Sequence, residues 1–118
     1  MAGLHALNAV FVVVATLLAA GWGAVYYRRG RPPGALFAHL LALSQSLVIA
    51  QVALGLLLLS EGRRNPDELH YAYGSFALIA ILSPWFYAPP VPRRRLAWFA
   101  GASFVASALS VRAYTTGI

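Results

Sequence analysis

Four apolar blocks, about 4–27, 35–60, 69–88 and 96–114, take up most of this 118-residue chain, and none of them contains an acidic residue. Crossing the hydrocarbon of a bilayer, about 30 Å thick, takes about 20 mostly apolar residues in a helix, and each block is of that size. Inside a bilayer every backbone N–H and C=O must pair within the protein, which leaves helices or closed barrels; runs this long mean helices. A water-soluble fold is a poor match, because 60% of the residues are hydrophobic and 10% charged, against about a quarter charged in ordinary soluble domains. The expectation is one domain, 1–118, of all-α class: an integral-membrane four-helix up-down bundle. Connections as short as RRGRPPG, EGRRNPDE and PPVPRRR force successive helices to run antiparallel. Prolines 32, 33, 89, 90 and 92 fall at helix ends, while Pro84 lies inside the third block, where it should kink the helix.

The net charge is +6, carried by nine arginines and no lysine. Clustered basic residues can mark a nucleic-acid partner, but here they sit at the ends of apolar blocks, so no nucleic acid is expected. Arg28, Arg29 and Arg31 follow the first block, and Arg93, Arg94 and Arg95 precede the fourth. Membrane proteins keep such clusters on the cytoplasmic side. The connection SEGRRNPDEL instead sets Arg63 and Arg64 against Glu61, Asp67 and Glu68, and reads as the outer loop. The expected location is therefore the cell membrane, multi-pass, with both termini outside the cytoplasm. The start MAGLHALN has no basic residue and the run after it is too long for a signal peptide, so the first block reads as a retained helix. Cysteine is absent, which excludes disulfides and thiolate metal sites.

Trp22, Tyr26, Tyr27, Trp85, Phe86, Tyr87 and Trp98 gather toward the arginine-rich end, and Tyr71, Tyr73 and Tyr114 toward the other, as in an interfacial aromatic belt. Polar residues within the blocks carry more information, since such groups face the bundle interior and mark function or helix contacts. The third block offers His70 and Gly74 on one face, the second Gln51 and Gly55, and the first His5, Asn8 and Thr16. In the fourth, Gly101, Ser103, Ser107 and Ser110 form a small-residue surface that lets helices, or a second copy of the chain, approach closely. Each polar group also has a plain reading as a helix-packing or backbone-bonding residue.

Antiparallel topology puts His5 and His70 at the same, outer end. His39 starts the ascending second helix, and from there to Ser60 the chain climbs about 31 Å at 1.5 Å per residue, so His39 cannot share a metal with the other two. Two imidazoles on facing helices with glycine nearby suit a flat macrocycle held edge-on, because haem iron accepts axial histidine nitrogens. Structural zinc needs four protein ligands, and only two histidines meet here. Arg112, Arg63 and Arg64 are the cations at that end able to hold propionates, and Gln51 can bond a propionate or a ligand imidazole.

QVALG (Gln51 to Gly55), closing one helix, followed after a short loop by His70, resembles the Q-x-x-L-G…H pattern of haem A synthases. In that family each of two homologous four-helix halves carries a histidine pair that holds a b-type haem, and His5 with Asn8 matches the preceding histidine helix. The likeness covers roughly 4–88. It implies a haem b between the first and third helices, with His5 and His70 as metal ligands and Gln51, Gly55, Gly74 and Arg112 around it. The chain has one such half, without the family's Gly- and Cys-containing loop and its catalytic acidic residue. The resemblance therefore implies a haem-b module, similar also to small b-type cytochromes, rather than a complete enzyme. Its work would be electron transfer or support of a respiratory or photosynthetic complex, as a homodimer or within a larger membrane assembly. The competing readings are a cofactor-free structural subunit, and a small transporter or quinone-binding protein using Gln51 and His70.

Overall fold

A computed structural model describes residues 2–117, and every regular element among them is a helix. These are α1 (Ala2–Arg29), α2 (Ala35–Ser60), α3 (Leu69–Leu82), α4 (Pro84–Tyr87) and α5 (Pro92–Gly117). The first two end the same way. Gly30 and Gly62 adopt φ of 65° and 79°, a left-handed conformation that costs glycine little. In each case the next amide reaches back to close the helix, Arg31 N–H to the Tyr26 carbonyl and Arg63 N–H to the Leu58 carbonyl, both at 3.0 Å. Arg28 and Arg29 in the last turn of α1 also face the negative end of its dipole.

By length and composition α1, α2 and α5 could each cross a membrane. The third block departs from the expected single span over 69–88. It forms the 14-residue α3 and the four-residue α4, and the cause is Pro84. Proline has no N–H to give to the carbonyl four residues back, which is that of Ala80. The Ser83 hydroxyl donates to the Ala80 carbonyl instead, at 2.8 Å, and Ser83 keeps helical angles (φ −57°, ψ −35°). The block is thus divided at Ser83 into two helices.

α1, α2, α3 and α5 form a ring in sequence order. α1 packs closely on α2 and α5, and α3 on α5, whereas α2 and α3 meet only sparsely. α1 therefore faces α3 across the interior. At mid-height one residue from each helix, Val12, Val48, Ile81 and Ala106, makes a buried layer. Toward the arginine-rich end a second cluster gathers Ala19, Phe37, Leu41, Leu96 and Phe99. Here Gln45 Oε1 accepts from Trp85 Nε1 (3.0 Å), and the Trp85 and Phe99 rings meet edge-on at 5.1 Å, tying α2, α4 and α5 together. Ser103 and Ser107 are buried within the bundle, so of the small-residue surface expected for a second copy, Gly101 stays outside and those two serines do not.

Outside, large apolar side chains stand clear all round, Leu18, Ile79, Phe76 and Phe104 among them. Such a surface is a liability in water and suits lipid. The longest Cα extent is 48 Å, comparable to a bilayer of about 40–45 Å with its headgroups.

Candidate functional site

Two turns beyond the mid-height layer, the helices stop filling the interior. His5, Gly55, Gly74 and Ala113 each lie seven residues from the layer residue of their own helix, about 10 Å along the axis. Two of the four are glycines, which contribute no side chain to fill the space between helices. A cavity of about 840 Å³ opens at this level, lined by these four residues and by Gln51, Tyr71 and Ser110. Its volume is within the range of about 300–1,000 Å³ typical of ligand sites. The connection 61–68 borders it through Arg63, Arg64, Asn65, Pro66 and Glu68. That connection is held in shape by the Asn65 amide donating to the Tyr71 hydroxyl at 2.6 Å, and by the Asp67 amide donating to Asn65 Oδ1 at 2.8 Å.

His5 and His70 come together from opposite corners of the bundle, with ring centroids 6.0 Å apart and planes at 60°. The His70 ring is oriented: Nδ1 lies 2.7 Å from the Ala113 carbonyl oxygen. A carbonyl only accepts, so Nδ1 is the donor in this bond, and Nε2 is the ring nitrogen it leaves free. His5 leans on α2, where a Cβ added at Gly55 would stand 3.2 Å from His5 Nε2. At Gly74 a Cβ would meet nothing within 4 Å, so that glycine keeps open space. Among the described residues no group of three or more His, Cys, Asp or Glu assembles; the two imidazoles that meet here could hold a haem iron but do not make a four-ligand zinc site.

Other expected site residues are placed differently. Gln51 does not reach either imidazole. Its Nε2 donates to the His5 backbone carbonyl (2.9 Å), and its Oε1 accepts from Asn8 Nδ2 (2.9 Å), which also donates to the Leu47 carbonyl (3.0 Å). Both amides are spent clamping α1 to α2, and in this way Gln51 sets the height of His5. Arg112 lies outside the cavity lining, with its guanidinium over the Tyr73 ring at 5.4 Å. Arg63 and Arg64 are at the cavity, Arg64 in an exposed pair with Glu68 at 3.5 Å. His39 is exposed near the other end of α2. Sequence reasoning passed over Ala113, whose role is played by its carbonyl; only its register opposite His70 marks it.

Comparison with family models, with curated proteins and with solved structures found no match. The likeness to haem A synthases therefore rests on the residues quoted above.

Proposed function

We propose that the chain is a membrane module that binds one haem b through His5 and His70 for electron transfer, alone or as a subunit of a larger respiratory or photosynthetic complex. The observation that carries this is the meeting of two imidazoles at 6.0 Å over a cavity kept clear by Gly55 and Gly74. Bound haem supplies a one-electron iron couple, whose potential depends on axial ligands, hydrogen bonding and burial. The protein's part is positional. Ala113 orients His70, Gln51 and Asn8 hold the helix bearing His5, and a hydrogen bond from a ligand imidazole to a carbonyl raises the ligand's basicity. Arg63 and Arg64, at the edge of the cavity, would be the cations for propionates, Arg64 by leaving its exposed pair with Glu68. The arginine asymmetry of the loops puts this end outside the cytoplasm.

The test is to express the protein with haem precursor supplied, purify it, and titrate its absorbance potentiometrically. A b-type spectrum with a reversible one-electron transition at one haem per chain is the expected result. A colourless protein that stays folded would instead support the cofactor-free structural subunit.

A further inference from the structure

On the outside of the bundle, at the end away from the histidines, a second cavity of about 530 Å³ lies along the seam of α1 and α5. Inside that seam the helices close tightly: a Cβ at Gly23 would meet the Ala100 Cβ at 2.7 Å. On its outer side they leave a groove. Leu17, Gly21 and Ala24 line it from α1, and Ala97, Gly101 and Phe104 from α5. Added Cβ atoms at Gly21 and Gly101 would meet nothing within 4 Å, and Leu17 and Phe104 stand exposed as its walls. The groove ends at Tyr27 and Arg28, and the guanidinium of Arg93 lies over the Tyr27 ring at 4.3 Å.

We propose that this groove holds one acyl chain of an anionic phospholipid, with the lipid phosphate on Arg28 and Arg93. The proposal needs the chain to lie in a bilayer, and is independent of the haem reading. Three observations select this occupant. From Leu17 to Arg28 the groove runs about 16 Å at 1.5 Å per residue, which matches the hydrocarbon of one leaflet, about half of 30 Å. Along its length it passes from apolar side chains at Leu17 and Ala24 to Tyr27 and Arg28, the same order as tail and phosphate in a lipid. The charge at that end also lacks an internal counterpart: Arg28, Arg29, Arg31, Arg93, Arg94 and Arg95 gather there, while all three acidic residues, Glu61, Asp67 and Glu68, belong to the connection at the opposite end. A second copy docked here side by side would bring two such arginine clusters together, and like charges brought close repel. An anionic headgroup neutralises them.

Native mass spectrometry of the purified protein tests this, using phosphatidylglycerol and phosphatidylcholine with identical acyl chains. The wild type should retain one phosphatidylglycerol per chain in preference to phosphatidylcholine by at least about fivefold, the value of roughly one arginine near an anionic surface. Arg28→Gln with Arg93→Gln, both on the surface, should abolish the preference while leaving weak retention of either lipid. Gly21→Leu with Gly101→Leu should fill the groove and abolish retention of both, with helix content by circular dichroism unchanged. Equal retention of the two lipids by the wild type would overturn the proposal. So would arginine variants that keep the preference, or a lipid-free dimer that the leucine variants dissociate.

Discussion

Single atoms decide the fit around the two imidazoles. At Gly55 a methyl group would press on His5 Nε2 at 3.2 Å, so Gly55→Ala should lower haem affinity about tenfold, the lower end for residues that orient a metal ligand, and leave thermal stability nearly unchanged. Gly74→Ala meets no protein atom within 4 Å. It should fold like the wild type and still bind haem more weakly, which a haem titration of the folded variant reads directly; unchanged affinity would mean that the space beside Gly74 is not used. Gly23→Ala acts on packing alone. Its Cβ would overlap the Ala100 Cβ at 2.7 Å, and overpacking of this kind costs about 1–3 kcal/mol, visible as a lower melting temperature in detergent. The pairing of His5 with His70 was legible from topology, because antiparallel helices put both at one end. The part played by Gln51 was not. Spacing shows which face a side chain occupies, but not that a neighbouring carbonyl and Asn8 will take its amide first.

The third block shows how a helix is completed by a side chain. Sequence gives the proline and predicts a disturbance, yet hydropathy alone cannot see that the helix divides into α3 and α4 at Ser83, since both pieces are equally apolar. The hydroxyl of Ser83 on the Ala80 carbonyl stands in for the missing amide of Pro84. Ser83→Ala should therefore cost about 0.5–1.5 kcal/mol, the scale of a typical intramolecular hydrogen bond, and Ser83→Thr should restore it. A double-mutant cycle between Asn8→Ala and Gln51→Leu in the α1–α2 clamp should give a coupling energy of similar size; additive effects would show the clamp to be dispensable. α2 covers the second apolar block, about 35–60, with Gly34 before its first residue and the positive-φ Gly62 just past its last turn. α5 starts earlier than its apolar block, at Pro92, since proline is well suited to a first helical turn and the three arginines that follow tolerate helix.

For the whole molecule, ring order and the two packed layers leave one end of the bundle filled and the other open. Aromatic and aliphatic bulk at Phe37, Leu41, Leu96 and Phe99 fills the arginine-rich end, and glycine and alanine leave the histidine end hollow. That asymmetry ties binding to topology. A reporter inserted in the 61–68 connection should be active only outside the cytoplasm and one in the 88–91 connection only inside; the reverse pattern would place the histidines at the cytoplasmic face. The measurement that bears hardest on haem ligation is the visible spectrum of the ferric protein, expressed with haem precursor, in three histidine variants. The wild type should be six-coordinate and low-spin. His70→Ala should abolish that spectrum, His5→Ala should turn it five-coordinate or lose the haem, and His39→Ala should leave it intact. A wild type with no haem absorbance, or loss of the spectrum on His39→Ala alone, would contradict ligation by His5 and His70.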